Sequence, residues 1–323
     1  MITVNDLTQI HTPLRYPVLS IGAFDGIHRG HQEIIRFLVN LARQKQGTAI
    51  VLTFSPHPQR IITPATAPPL LQLPEQKEKI LREMGVDVLV RFPFSREISL
   101  LQPERFVTEI LFRWDFREIV VGSNFRFGHK RSGDCGTLAL ISKQRGIPVH
   151  AIEPVEFRGV RISSTRVRGL LSEGRVELAR RLLARPYQFR GTVVRGAGNG
   201  AVLGFPTANL EPQNELTPAV GVYAGRAHLA GIEQPCVINI GFRPTLYERP
   251  EGAPVVEAHL LDFNGDLYGT TISIDFCARL RAERRFESLD SLKKQIAKDI
   301  NLARKYLARG VPERREVGDG TNR

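Results

Sequence analysis

Apolar and polar positions follow two rhythms along this chain, and the change from one to the other divides it. In the first part, short apolar runs at 17–21, 49–54, 86–92, 118–122 and 147–152 read as strands. Stretches with apolar residues three and four apart lie between them. One begins at Glu33-Ile34-Ile35-Arg36-Phe37-Leu38. Another covers 75–84 and is stopped by Gly85. A third covers 103–114 with Pro103 in its first turn, and a fourth covers 137–145 and is stopped by Gly146. Strand and helix alternating in this way predict a parallel sheet covered on both faces. Such sheets bind ligands beyond the carboxyl ends of their strands.

A helix end and a break at 182–186 close this part. Short β-like runs follow at 187–194, 221–229, 235–240, 255–263 and 270–280, with one amphipathic helix over 288–307. Asn264-Gly265 predicts a hairpin turn. Closely spaced strands with a single helix predict a small antiparallel β-barrel. The expected organisation is a Rossmann-like α/β domain over 1–185, a β-barrel domain with a C-terminal helix over 186–309, and a polar, mobile tail over 310–323.

Composition narrows the function. The 323 residues carry a formal charge of +12, which favours polyanionic partners: nucleotides, nucleic acid or anionic lipid. Lys and Arg are spread along the chain and not packed into a nucleic-acid tract. The cysteines, Cys135, Cys236 and Cys277, are odd in number and far apart. They predict neither a disulfide framework nor a zinc finger, and fit a reducing compartment. With no signal-like start and no apolar run long enough for a bilayer, a cytoplasmic protein without membrane contact is expected.

The chemistry begins at Gly22-Ala23-Phe24-Asp25-Gly26-Ile27-His28-Arg29-Gly30-His31, which joins the 17–21 strand to a helix. Glycines permit a tight turn close to a ligand, and the helix start offers amide N–H groups and partial positive charge to a phosphate. His28 and His31 add side-chain donors there. No Gly-Lys-Ser/Thr of the P-loop kind occurs. Three further segments fall at strand ends. Thr53-Phe54-Ser55-Pro56-His57-Pro58 reads as a rigid, exposed apolar elbow. Gly122-Ser123-Asn124-Phe125-Arg126-Phe127-Gly128 offers two aromatics, either as a platform for a flat ring or as core plugs. In Ile162-Ser163-Ser164-Thr165-Arg166-Val167-Arg168, Ser163 or Ser164 caps a helix, and Arg166 and Arg168 add charge for an anion.

In the second part, 191–209 carries glycines at 196, 198, 200 and 204, a flap whose amides suit phosphates. Thr207 and Asn209 supply hard oxygens suited to Mg²⁺ beside ATP. Glu257 is a carboxylate in an otherwise apolar run, either outward-facing or functional.

Taken together and in order, Phe-Asp-Gly-x-His-x-Gly-His, Phe-x-Pro-His-Pro, Gly-x-Asn-Phe-x-Phe-Gly and Ile-Ser-Ser-Thr-x-x-Arg resemble the adenylyltransferase module of the bacterial FAD synthetase family, with Asn124 where many members carry Asp. Gly-x-Val-Val-x-Gly, Leu-Gly-Phe-Pro-Thr-Ala-Asn, Asn-Ile-Gly-x-x-Pro-Thr from Asn239, Glu-x-His-Leu-Leu-Asp-Phe and Leu-Tyr-Gly resemble the riboflavin kinase module of the same bifunctional enzymes, with Arg195 in place of a frequent His. The resemblance implies a transferase that phosphorylates riboflavin to FMN and adenylylates FMN to FAD, using ATP and Mg²⁺ in both steps. It implies catalytic roles for Glu257, His28 and His31, and metal ligation by Thr207 and Asn209. Nucleotide or flavin contacts are implied for Gly22, Phe24, Asp25, Gly30, Phe54, Pro56, Asn124, Phe125, Ser164, Thr165, Arg168, Gly196, Gly198 and Gly204. Flavoproteins would accept the FAD, and nucleic acid would not be a partner. The alternatives are a nucleotidyltransferase for another substrate, which would leave Glu257 and the Pro-Thr-Ala-Asn segment idle, and an RNA- or DNA-binding barrel protein, which the scattered basic residues disfavour.

Overall fold

The computed structural model describes residues 1–196, 200, 203–229, 231–242 and 254–308. Its backbone contacts form two units, residues 1–167 with 182–184, and residues 168–181 with 185 onward. The segment 310–323 lies outside the described residues.

The first unit is built on strands β1 (Ile2–Val4), β2 (Pro17–Ile21), β3 (Thr48–Ser55), β4 (Val88–Pro93), β5 (Glu118–Gly122) and β6 (Val149–Ile152). They pair in parallel in the order β1-β4-β3-β2-β5-β6. The chain therefore steps outward from β2 to β4, then returns with β5 on the other side of β2. A sheet that reverses direction in this way opens a crevice at the carboxyl ends of the two strands where it reverses.

β2 is buried at every position, as its unbroken apolar run predicts. Its alternate residues feed two cores. Leu19 and Ile21 join Ile50, Leu52, Ile119 and Val121, whereas Val18 joins Val51, Leu89 and Val120. Helix α1 (Arg29–Gln44) covers the second core with Ile35, Leu38 and Ala42, spaced three and four apart on one stripe. Helix α2 (Pro74–Glu83) adds Leu81 to the same core.

The opposite face is covered by residues 103–116 and by α3 (Cys135–Lys143). The first of these is not the single helix the pattern predicts. It is α-helical at Pro103–Arg105, widens to a π-turn at Phe106–Ile110 and tightens to a 3₁₀ turn at Leu111–Arg113. Phe106, Val107, Ile110, Leu111 and Phe112 are all buried. That is more than one stripe of a regular helix can point inward, so the helix deforms to bury them.

The second unit takes in most of α4 (Ser164–Ser172), much of α5 (Val176–Leu183) and a closed antiparallel barrel. The barrel strands are β7 (Tyr187–Val194), β8 (Ala208–Pro212), β9 (Gly221–Leu229), β10 (Ile232–Gly241), β11 (Val255–Leu260) and β12 (Thr271–Arg281), ordered β7-β8-β11-β10-β9-β12. Tyr187, Phe189, Tyr223 and Phe276 are among its buried aromatics. Helix α6 (Leu289–Ala308) packs Ala303 and Leu307 against Val222, Ala224, Val237 and Cys277. Residues 168–181 belong with the barrel because Ala219 N donates to Leu171 O (3.0 Å) and Arg279 N donates to Glu177 Oε1 (3.1 Å).

The barrel departs from the sequence reading in two places. β8 is a sixth strand whose alternation, Ala208-Asn209-Leu210-Glu211, is too short to stand out beside the glycine segment before it. The hairpin predicted at Asn264-Gly265 does not form. β11 stops at Leu260 and pairs with β8 and β10, while β12 pairs with β7 and β9. Both edges of each strand are taken by other neighbours, so the turn joins strands that do not pair.

Asp299 on α6 is buried, and it accepts from Arg281 Nε (2.9 Å) and from Gln295 Nε2 (2.7 Å). Removing one partner of a buried ion pair leaves the other charge uncompensated. Asp299→Ala should therefore lower the stability of the barrel unit by about 3–5 kcal/mol, seen as a lower urea midpoint by far-ultraviolet circular dichroism. An unchanged midpoint would show that Arg281 regains water at no cost.

Candidate phosphate-transfer sites in the two units

In the first unit the turn Gly22–Ile27 leaves β2 at the carboxyl edge where the sheet reverses. Its backbone is unusual. Phe24, Gly26 and Ile27 all have positive φ, at 47°, 80° and 35°. Two side-chain-bearing residues in that region carry real strain, so the surroundings must hold them there.

They do so largely by capturing carbonyl oxygens and one carboxylate. Ala23 O accepts from Thr53 Oγ1 (3.1 Å) and from Lys77 Nζ (2.8 Å). Phe24 O accepts from Gln72 Nε2 (3.1 Å), Asp25 O from Ser164 Oγ (2.8 Å) and Ile27 O from Gln32 Nε2 (2.9 Å). The buried carboxylate of Asp25 accepts from Leu71 N (3.0 Å). A Cβ on Gly26 would meet the Leu71 side chain at 2.6 Å, so this position is held to glycine by space as well as by φ.

At the end of the turn His28 caps α1, its Nδ1 accepting from His31 N (3.3 Å). The two imidazoles stack, with centroids 3.7 Å apart and planes 17° apart, and Phe24 meets His31 edge-on at 5.3 Å. Gly30 leaves room for this stack, because a Cβ there would come within 3.2 Å of the His28 ring. Gly22 has the same relation to Phe24, whose ring would lie 3.0 Å from its Cβ. The structure thus gathers Gly22, Phe24, Asp25, His28, Gly30 and His31 into one cluster at a helix N-terminus, an arrangement that favours a phosphate.

The other strand ends are mixed. Pro56 is exposed, as the expected elbow requires, but Phe54 is not. It packs against Phe92, Phe94 and Phe106 in the aromatic core, because its strand residue points inward. Phe106 contacts Phe127, and Phe127 stacks on Phe125 at 5.4 Å, so Phe54 and Phe125 belong to one connected aromatic row. Asn124 is exposed beside it, its Oδ1 3.0 Å from where a Gly122 Cβ would lie.

At the start of α4 the two serines divide their work. Ser163 Oγ caps the helix by accepting from Arg166 N (3.2 Å), while Ser164 donates to the Asp25 carbonyl of the turn. Thr165 is exposed. Arg166 is engaged by backbone carbonyls: its guanidinium donates to Val160 O (2.7 Å) and Phe157 O (3.3 Å), tying down the 156–161 hairpin. Arg168 falls in the second unit.

Lys77 and Gln72 were not singled out by the sequence, and Thr53 only as the first residue of the elbow. Lys77 donates to Thr53 Oγ1 (3.2 Å) as well as to Ala23 O. Burial pushes its ammonium down to about 8, and the Asp25 carboxylate opposes that shift. The signal available was a lysine on a helix with an otherwise apolar inner stripe, which sequence alone does not separate from a solvated one.

In the second unit the barrel register assembles the site. β8 sets Asn209 opposite Glu257 of β11, and β10 sets Asn239 opposite the same glutamate. Directly opposed residues share a face, so Asn209, Glu257 and Asn239 form a row with the carboxylate in the middle. Glu257 is half-buried and Asn209 buried. Two residues along from Glu257, His259 holds the segment before β8. Its Nδ1 lies 2.7 Å from Pro206 O, and Phe205 meets its ring edge-on at 5.9 Å.

That contact fixes Thr207, whose Oγ1 lies 3.0 Å from where a Gly200 Cβ would be. A Cβ on Gly196 would collide with the Asn209 amide. Glycine therefore lets the backbone at 196 and 200 pass close to Asn209 and Thr207, respectively. Gly204 has φ of 85° and open space around it, and Gly198 lies outside the described residues. At the entrance to this segment the Arg195 guanidinium lies 5.6 Å from the Tyr268 ring centroid. Among the described residues no group of three or more His, Cys, Asp or Glu could hold a metal on its own.

Family comparisons agree with this division. A model described as FAD synthetase matches residues 11–166, and one described as riboflavin kinase matches residues 183–307. A Pseudomonas fluorescens protein called bifunctional riboflavin kinase/FMN adenylyltransferase is 38% identical, covering 94% of this chain and 97% of its own. The Escherichia coli (strain K12) protein of the same name is 36% identical, covering 96% of this chain and 98% of its own. A crystal structure described as a macrolide-efflux protein from Streptococcus pneumoniae matches with a TM-score of 0.84 at 30% identity, covering 94% of this chain and 99% of that one. Among the described residues, no helix here is long and apolar enough to cross a membrane.

Gly26→Ala should lower the stability of the first unit by about 1–3 kcal/mol, from left-handed strain together with the overlap on Leu71. Trp114 is the single tryptophan and is buried in that unit, so its fluorescence in urea reads the change. A midpoint equal to the parent's would mean that the turn relaxes freely.

Proposed function

The chain belongs to the family of bifunctional riboflavin kinases/FMN adenylyltransferases, and we propose from that membership that its two units carry successive steps from riboflavin to FAD. The barrel unit transfers the γ-phosphoryl group of ATP to the 5′-hydroxyl of riboflavin. The parallel-sheet unit joins AMP from a second ATP to the FMN phosphate and releases pyrophosphate. The observation that carries this reading is that one chain holds two separately built sites, each placing polar side chains at a glycine-rich backbone.

In the kinase step Glu257 accepts the hydroxyl proton as the oxygen attacks phosphorus. Asn209 and Asn239 flank the carboxylate and orient it. The glycine segment over Asn209 and Thr207 brings backbone amides to the phosphates and shields them from water.

Thr207 and Asn209 suit Mg²⁺ that arrives on ATP. They offer one hydroxyl and one amide oxygen, both hard and neutral, and leave most of the coordination to phosphates and water. Bound there, the ion would neutralise phosphate charge.

In the adenylyl step the FMN phosphate is already an anionic nucleophile, so alignment and charge neutralisation suffice and no covalent intermediate is needed. The imidazoles of His28 and His31 and the start of α1 face the α-phosphate and the leaving pyrophosphate. Gly22 and Gly30 let the backbone come close. Ser164 and Thr165 complete the nucleotide contacts, with Ser164 acting through the turn it holds. The aromatic row ending in Phe125, with Phe54, Pro56 and Asn124 near it, serves the isoalloxazine. The free cysteines support a cytoplasmic setting, where apo-flavoproteins would take up the FAD.

Incubation with riboflavin, ATP and Mg²⁺, followed by separation of the flavins, tests the reading. FMN and FAD should appear in succession, and chelation of Mg²⁺ should stop both; neither flavin appearing would overturn it. Glu257→Gln should cut FMN formation by about 10²-fold or more while FAD still forms from added FMN. His28→Ala should give the converse, slowing FAD formation by about 10²–10³-fold with the kinase intact. Loss of both activities in either variant would count against the assigned roles.

A further inference from the structure

We propose that Lys77 is a positioning residue for adenylyl transfer: its ammonium, inserted beneath the turn at Ala23 and Thr53, holds the backbone that presents His28 and His31 to the phosphates, and adds a fixed positive charge behind them. The proposal rests on the adenylyltransferase reading of the first unit.

Three observations carry it. First, Lys77 is on α2, whereas the atoms it holds are on the β2–α1 turn and on β3, so it joins three elements at the sheet's carboxyl edge. Second, one short segment supplies several of the turn's ties: Leu71 to the Asp25 carboxylate, Gln72 to Phe24 O and Lys77 to Ala23 O. Of these three donors only Lys77 brings a charge. Third, a buried ammonium costs free energy unless it is used, and an uncharged donor would hold a carbonyl with less penalty.

The charged group facing the ammonium from the turn is Asp25, and β3 presents the uncharged Thr53. On its own helix Glu78 pairs with Arg82 (3.0 Å). His28 and His31 lie at the far end of the same turn, so a pH profile must be read against a lysine variant.

Burial holds the Lys77 ammonium at about 8, well below an ordinary lysine. The sign is definite. Below that pH the group is charged and the turn is held; above it the charge is lost. In the parent protein, kcat/KM for FAD formation from FMN should therefore fall as pH rises through about 8, while FMN formation by the same chain should not share that limb.

The experiment uses the full chain with FMN, ATP and Mg²⁺, and measures riboflavin phosphorylation in the same preparations. Lys77→Met should lower kcat/KM for FAD formation by about 10- to 100-fold, lose the alkaline limb and leave riboflavin phosphorylation within about twofold. Lys77→Arg should restore about a tenth or more of the parent rate and keep it to higher pH, because a guanidinium stays charged. The idea is overturned by parent-like FAD formation in Lys77→Met, by an unmoved alkaline limb in Lys77→Arg, or by loss of both activities in both variants, which would assign Lys77 to folding alone. If the parent protein itself makes no FAD, it is the adenylyltransferase reading that fails.

Discussion

The capture of the carbonyl oxygens between Ala23 and Ile27 is the interaction on which the first unit's chemistry rests. A peptide group is a rigid dipole, so tying down its oxygen also fixes the direction of its N–H. Thr53, Lys77, Gln72, Ser164 and Gln32 hold the carbonyls of Ala23, Phe24, Asp25 and Ile27. They come from β3, α2, the segment before it, α4 and α1. The turn is thereby kept in a backbone conformation that Phe24 and Ile27 would not adopt alone. The free energy of the surrounding fold offsets that strain and converts it into preorganisation. On the proposed reading, the phosphates would meet dipoles and imidazoles already in place.

The barrel reaches a similar end by a different device. Among the described residues, its carboxylate is not centred by a strained turn. Instead three strands are locked in register, so that two amides flank Glu257. Closure of the barrel leaves no free edge along which these strands could slip, and a slip of one residue would turn Glu257 to the other face. His259 extends this control outward by pinning the Pro206 carbonyl, and through it Thr207. The glycines at 196 and 200 matter for what they lack, since any side chain there would occupy the space of Asn209 or Thr207.

Much of this was legible in the chain itself. The apolar runs of β2 to β6 and the three- and four-residue spacing of α1 follow from burial, which each segment expresses locally. The paired histidines, the glycine turn, Glu257 and the Thr-Ala-Asn segment were visible as residue types in motif order. The misreadings share one cause. The 103–114 helix deforms because its partners demand more buried side chains than one stripe provides. Asn264-Gly265 makes no hairpin because distant strands claim both edges. Two placements were likewise not written in the local pattern: Phe54 packs on the aromatic core and Arg166 donates to backbone carbonyls.

By itself, then, the sequence determined the two kinds of architecture, the position of the glycine-rich turns and the side chains available for phosphate chemistry, because periodicity and residue type act over a few neighbours. Only the tertiary structure decided which of those side chains touch the ligand-facing backbone and which hold it from behind. Ser164 reaches Asp25 across 139 residues and Lys77 reaches Ala23 across 54. Asn239 joins Glu257 only through strand register. Contacts of that span depend on how whole elements pack, and no local stretch of chain encodes them.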